Sequence, residues 1–126
     1  MDRLFHSVVL LPIPLARLAL DGTLAFYMGV KNLPAIVDEL LRIGRPGDTP
    51  VAVIEWGTYM RQRTITATLG DVVARCRDAA VQPPAMILVG EVVSLRDEMN
   101  WFERRPLFGR RIVVTRAAAG RGALAL

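Results

Sequence analysis

From Thr23 onward the sequence alternates between runs with a strand pattern and runs with a helix pattern. This alternation constrains the fold most strongly, because strand and helix patterns that follow one another in this way indicate an α/β layer. Short apolar runs at residues 24–28, 51–56 and 85–89 have the form of buried strands. "RTITATL" at residues 63–69 alternates apolar and polar side chains, as in a half-buried strand or a sheet edge.

Two amphipathic helices are predicted between these strands. The first follows Asn32, a good N-cap, and ends at Gly44; its apolar face is Leu33, Ile36, Val37, Leu40 and Leu41. The second begins after a pattern resembling a capping box, Thr68 with Asp71, and is ended by "VQPP". We therefore expect an α/β fold with a mixed, partly parallel sheet flanked by helices.

A glycine follows three of the predicted strands, at Gly29, Gly57 and Gly90. The three glycines could line one cleft, where a missing side chain lets a ligand approach the backbone. Alternatively, each glycine simply makes a turn. Isolated glycines are weak signals, so the pattern alone favours turns.

Composition narrows the class of protein. The 126 residues are 52% hydrophobic and 22% charged, which is typical of one globular domain. Cys76 is the single cysteine, so neither an internal disulfide nor a cysteine metal cluster is expected, and a reducing cytoplasm suits it. The net charge of +4 comes largely from arginines near the carboxyl end, which a solvated tail would explain. Pro12 and Pro14 interrupt the apolar amino end, which argues against an export signal or a membrane span.

Several ordered motifs carry a resemblance to a known family. "TLAFYMGVKNLPAIVDELLRIGRPGDTPVAVIEWGT", "RQRTITATLGDVVARC" and "PPAMILVGEVVSLRDEMNWF" closely resemble the carboxyl-terminal half of uroporphyrinogen-III C-methyltransferases, in the tetrapyrrole methylase family. The resemblance implies methyl transfer from S-adenosyl-L-methionine to uroporphyrinogen III, giving precorrin-2 for sirohaem and cobalamin. It also implies a cytoplasmic homodimer that needs no metal, nucleic acid or membrane.

The resemblance further implies that the cofactor lies between two α/β domains, of which this one supplies apolar and backbone contacts. By motif position, the cofactor-binding residues are Met28 of "YMG" and Gly57 of "EWGT". Met28 would be a flexible apolar wall against the cofactor, although a thioether can also be core filler. No catalytic residue is assigned.

Other residues near these motifs have two interpretations each. Thr58 and the segment Arg61 to Arg63 either face the entrance for a carboxylate-rich tetrapyrrole or form a solvated loop. Glu55 either bonds a ligand amine or caps a strand end. Trp101 and Phe102 are expected to close the domain as a hydrophobic clamp.

The resemblance also predicts the domain organisation. Residues 1–21 are expected to be an unmatched extension, 22–102 the methylase carboxyl-terminal domain, and 103–126 a linker with the truncated start of a uroporphyrinogen-III synthase, on the basis of "RPLFGRRIVVTR". The family's glycine-rich loop and catalytic residues belong to the other domain, so the chain alone is predicted not to turn over. The alternatives are a non-catalytic α/β association module from a truncated gene and, more weakly, nucleic-acid binding by the terminal arginines.

Overall fold

The computed structural model describes residues 21–113 and 115. Most of the predicted 1–21 extension, and the end of the synthase-like segment including Arg116 and Arg121, lie outside the described residues. The elements in the described part are strands β1 to β4 and helices α1 to α3. In chain order they are β1 (Leu24–Tyr27), α1 (Leu33–Arg42), β2 (Pro50–Glu55), β3 (Arg63–Thr68), α2 (Val72–Asp78), β4 (Ala85–Val89) and α3 (Arg96–Met99). Short 3₁₀ helices at Val30–Asn32 and Glu91–Leu95 precede α1 and α3. The four predicted strands and two predicted helices are confirmed, with small shifts at their ends.

The ends of α1 and α2 follow the same backbone rule with different residues. At α1, Gly44 has a left-handed φ of 101°, and its N–H donates to the Leu41 carbonyl while the next N–H donates to the Leu40 carbonyl. This is a Schellman ending, as the glycine predicted. At α2, Ala80 takes the left-handed position with φ 49°, although alanine adopts this conformation less readily than glycine.

The starts of these helices differ from the expected capping. Asn32 holds the N-cap position of α1, but its side chain makes no capping hydrogen bond, because a 3₁₀ turn leads directly into the helix. The Asp71 carboxylate instead accepts hydrogen bonds from both the backbone N–H and the hydroxyl of Thr68. Asp71 therefore stabilises the β3–α2 turn.

The strands form one sheet in the order β1-β4-β2-β3, and every pairing between them is antiparallel. The expectation of a partly parallel sheet is therefore wrong for the described strands, whereas the mixed α/β class is confirmed. The reason lies in how two crossover units interleave. β1 and β2, joined through α1, run in the same direction, as do β3 and β4, joined through α2. Each such pair is separated by a strand of the other unit, so parallel strands never become neighbours.

One face of the sheet carries the core against α1 and α2. Alternate residues of the two central strands point there, and Val51, Val53 and Ile87 are fully buried. The segment 91–103, which contains α3, lies over the other face. Between that segment and the sheet is a cavity of about 330 Å³.

In the described part of the chain, no helix has the length and apolar character needed to cross a membrane.

Candidate functional site

The two predicted cofactor-binding residues lie at the same end of the sheet. β1 and β2 both end there, and β4 begins there, because Tyr27 pairs with Met86 and Glu55 pairs with Ala85. The Trp56 N–H donates to the Pro84 carbonyl at 3.0 Å, which ties the end of β2 to the start of β4. With one strand between them, the ends of β1 and β2 are about 10 Å apart.

This end of the sheet has an unusual backbone. Met28, Trp56 and Thr58 all have left-handed conformations, with φ of 59°, 52° and 71°. Such a conformation is uncommon outside glycine and costs most for a β-branched residue such as Thr58. Strained residues of this kind concentrate at ligand sites, so their clustering marks this end of the sheet as the candidate functional site.

Met28 does not fill the core. It follows β1 with 74% of its surface exposed, beside an equally exposed Tyr27. A polarisable thioether held in the open at a strand end is suited to contact an apolar ligand. The core-filler interpretation is therefore excluded, while contact with a cofactor remains a prediction.

The three glycines after strands have three different roles. Gly90 lies at the opposite end of the sheet, because β4 runs against β1 and β2, so a cleft shared by all three is wrong. Gly29 is buried, and a Cβ there would come within 3.1 Å of core atoms of Ile36 and Ile87, so packing requires it. Gly57 is exposed, and a Cβ would meet its nearest atom, in Ile54, only at 3.5 Å. Only Gly57 fits the idea of an open approach to the backbone.

The residues of "RQR" serve the loop between β2 and β3 rather than a common surface. Arg61 stacks its guanidinium on the Trp56 ring, 3.3 Å from the ring centroid, and the Trp56 ring meets the Tyr59 ring edge to face. Arg63 forms an ion pair with Glu55 at 2.6 Å. The interpretation of a purely solvated loop is therefore incomplete, because both arginines of this segment have specific partners, Arg61 in Trp56 and Arg63 in Glu55.

Glu55 has a structural role. It is buried, and both carboxylate oxygens are engaged: one accepts from the Arg63 guanidinium, the other from the backbone N–H of Gln82 at 2.9 Å. These bonds join the end of β2 to the start of β3 and to the loop before β4. The strand-end interpretation is favoured over a bond to a ligand amine.

Sequence reasoning missed a polar cluster centred on Glu103. One carboxylate oxygen accepts from the Gln62 amide at 3.0 Å and the Thr64 hydroxyl at 2.7 Å, and the other accepts from Arg96 and from the Asn100 amide. Burial raises the pKa of Glu103, but the hydrogen bonds from Gln62 and Thr64 and the charge of Arg96 outweigh it and lower the pKa. The partners lie up to 41 positions away, so no local sequence signal could have revealed the cluster.

The start of β4 was also missed as part of the site. Pro84, Ala85 and Met86 lie between the ends of β1 and β2, and the Met86 side chain shares a row with Tyr27 and Ile54 on the sheet face opposite α1. These three residues belong to the site only because β4 lies between β1 and β2 in the sheet. The sequence contained only the proline pair as a signal of a loop.

The remaining predicted residues lie away from this end or in the core. Cys76 is buried, as its place on the α2 face predicts. Phe102 packs edge to face against Trp101 and Phe108, but Trp101 is 66% exposed, so the predicted clamp is only partly closed. Arg105 covers the Trp101 and Phe102 rings.

No group of three or more histidine, cysteine, aspartate or glutamate side chains within the described residues could hold a metal ion. The candidate site instead offers a thioether, an indole ring, a glycine and backbone groups. Such an arrangement is suited to binding an apolar ligand with polar edges.

Comparison with known proteins identifies similar sequences. The family described as Tetrapyrrole (Corrin/Porphyrin) Methylases matches residues 6–73, a range that begins inside the segment 1–21. The siroheme synthase of Stutzerimonas stutzeri strain A1501 is 43% identical over 99 residues, covering 78% of this chain and 21% of that protein. The uroporphyrinogen-III C-methyltransferase of Bacillus subtilis strain 168 is 41% identical over 92 residues, covering 73% of this chain and 19% of that protein. The chain thus spans about a fifth of the length of these relatives.

A solved structure shares the fold. The uroporphyrin-III C-methyl transferase of Thermus thermophilus, complexed with S-adenyl homocysteine, superposes with a TM-score of 0.57 and 35% sequence identity. The superposition covers 66% of this chain and 37% of that one. The similar sequences and the similar structure therefore belong to the same group, the tetrapyrrole methylases.

Proposed function

This chain belongs to the tetrapyrrole methylase family, and we propose that it is the cofactor-side domain of an enzyme that methylates uroporphyrinogen III. One observation carries the proposal. Met28 and Gly57, assigned from separate motifs, come to the same exposed end of the sheet on a strained backbone. The proposed product is precorrin-2, toward sirohaem and cobalamin, made in the cytoplasm by a homodimer.

The residues at this end fit one side of S-adenosyl-L-methionine. When bound, the cofactor supplies a sulfonium methyl group, which an electron-rich pyrrole carbon of the substrate takes up. Met28 would lie against the apolar part of the cofactor, and the open surface at Gly57 would let it approach the backbone. Methyl transfer requires that the cofactor and the substrate be aligned. These residues would contribute by holding the cofactor in one orientation and by excluding water from it.

We further propose that this chain does not turn over alone. The site is an open sheet end, with Met28 and Tyr59 largely exposed, and a complete cleft needs a second wall. No described residue is assigned a catalytic role. Mixing this chain with a separately produced amino-terminal domain of a close relative should restore methyl transfer from radiolabelled S-adenosylmethionine to uroporphyrinogen III. Turnover by the chain alone would contradict this part of the proposal.

The cofactor site can be tested by calorimetric titration with S-adenosylhomocysteine. The wild-type chain should show saturable binding, and Gly57→Trp should abolish it, because the indole would occupy the open approach. Gly57→Ala is the matched control, since its Cβ meets only ordinary contacts, and it should bind within about tenfold of wild type, a difference of about 1.4 kcal/mol. Equal binding by wild type and Gly57→Trp would place the site elsewhere.

The sheet edges favour a second candidate, a non-catalytic association module. β1 and β3 each have one strand neighbour among the described residues, and Ala25 and Thr66 on them are exposed. A free edge is a template for pairing with another chain. Sedimentation velocity should then show concentration-dependent association, and a monomer at all concentrations would exclude this candidate.

A further inference from the structure

The loop between β2 and β3 contains Gly57 and Thr58 of the candidate site, and its strained backbone must be held by hydrogen bonds. Thr58 has a left-handed backbone that a β-branched residue adopts only when its surroundings enforce it. Its N–H donates to the side-chain oxygen of Gln62 at 2.7 Å, a bond across the loop. This bond pins the backbone immediately after Gly57.

Gln62 is itself held at its other end. Its amide nitrogen donates to Glu103 at 3.0 Å. An ionised carboxylate only accepts hydrogen bonds, so the Gln62 nitrogen must face Glu103 and the oxygen must face Thr58. Glu103 therefore fixes which way the amide points.

Glu103 is a firm anchor for this amide. The Thr64 hydroxyl, the Arg96 guanidinium and the Asn100 amide also donate to its carboxylate, whose side chain is 17% exposed. These partners come from β3 and from the segment over the sheet face. Glu103 thus connects the candidate site to the segment 91–103, which does not itself contact the site.

We propose that Glu103 and Gln62 form a positioning relay that holds the Gly57–Thr58 backbone in its ligand-binding conformation. The relay rests on the proposed function for its effect on cofactor affinity, but its effect on loop conformation is independent of any ligand. Neither residue is catalytic; Glu103 acts through Gln62, and Gln62 acts through Thr58.

The test uses Trp56 as a reporter of the loop. The chain has two tryptophans, and Trp101→Phe removes the exposed one, leaving Trp56 beside Thr58. In this background Gln62→Met, Glu103→Ala and the double variant are compared, with Gln82→Met and Glu98→Ala as controls whose side chains are exposed. Two quantities are measured: quenching of Trp56 fluorescence by acrylamide, and affinity for S-adenosylhomocysteine by calorimetry.

Each variant of the relay should increase quenching of Trp56 and weaken binding about tenfold, the effect of one lost charge-assisted hydrogen bond. The double variant should be no worse than Gln62→Met, because residues that act in series are not additive. Glu103→Gln keeps an acceptor oxygen for Gln62 and should recover much of the binding. The control variants should match the background.

Unchanged quenching in both relay variants, measured on folded protein, would overturn the relay. Additive losses in the double variant would also overturn it, because they would show two independent contributions. If the wild-type chain binds no S-adenosylhomocysteine, the proposed function fails its own test, and the quenching measurement still decides whether the relay holds the loop.

Discussion

Gly90→Ala tests both the backbone geometry and the placement of the site. Gly90 has φ 135° and ψ 176°, a combination that is essentially confined to glycine and costs other residues about 1–3 kcal/mol. A Cβ would also lie 2.8 Å from the backbone carbonyl oxygen of Gly22 and 3.3 Å from the Cα of Thr23. Backbone atoms cannot move aside as a flexible side chain can.

The two costs together should reduce the free energy of unfolding by about 3 kcal/mol or more. For a domain of this size, that corresponds to a fall in Tm of roughly 12 °C or more. Gly57→Ala is the matched control, because its Cβ would make only ordinary van der Waals contacts and its backbone is not left-handed, so its change should stay within about 0.5 kcal/mol. Urea unfolding followed by circular dichroism measures both.

Binding separates the two ends of the sheet. Because Gly90 lies at the end opposite Met28 and Gly57, folded Gly90→Ala protein should bind S-adenosylhomocysteine as wild type does. A neutral effect on stability would refute the backbone argument. A specific loss of affinity in the folded variant would refute the placement of the site.

Four further predictions concern the core, the buried charge, the titration of the cluster and the thiol. Ile87→Ala, at a fully buried position on the central strand β4, should lower the free energy of unfolding by about 2–5 kcal/mol in urea titrations. Glu55→Ala should cost about 1–3 kcal/mol by the same assay, since the backbone N–H of Gln82 loses its acceptor and the half-exposed Arg63 loses its ion pair, whereas Glu39→Ala on the surface of α1 should cause no measurable change. Because the pKa of Glu103 is lowered in the folded protein, its carboxylate stabilises the fold fully above the unfolded-state pKa of about 4.3, and this stabilisation is lost as pH falls through the folded-state pKa. Glu103→Gln should therefore make the free energy of unfolding depend less on pH below about 4.3. The same pH dependence in wild type and Glu103→Gln would contradict the lowered pKa of Glu103. Burial raises the pKa of the Cys76 thiol, so Ellman's reagent should label native protein far more slowly than protein in urea, and equal rates would contradict its burial.

The helices and strands could be predicted because their signals are local. The apolar spacing from Leu33 to Leu40 predicted α1, and the apolar run before Trp56 predicted β2. Strand direction could not be predicted in the same way. A helix between two strands makes them run parallel, but only the packing of the whole chain decides whether another strand comes between them. That insertion made the sheet antiparallel.

Some residues of the candidate site could likewise be predicted from local signals, and others could not. Met28 and Gly57 stood out in the sequence because they belong to motifs, but nothing local indicated that Pro84 and Met86 lie between them. Glu103 was hidden for the same reason, since its partners Gln62 and Thr64 lie 41 and 39 positions earlier in the chain. Its partners on β3 and at Gln62 are reached only after the segment over the sheet face has folded back.

The sequence by itself determined, to within a few residues, the four strands and the two longer helices, and it determined which residues are apolar enough to form the core. It also predicted Met28 and Gly57 as ligand contacts. Periodicity, turn chemistry and motif spacing all act over a few residues, so they can be read without the fold. Only the tertiary structure decided the strand order, the separation of Gly90 from Gly57, and the contact between Gln62 and Glu103. These depend on packing between residues distant in the chain, where many arrangements satisfy the same local pattern and the buried surface and hydrogen bonds of the complete domain select one.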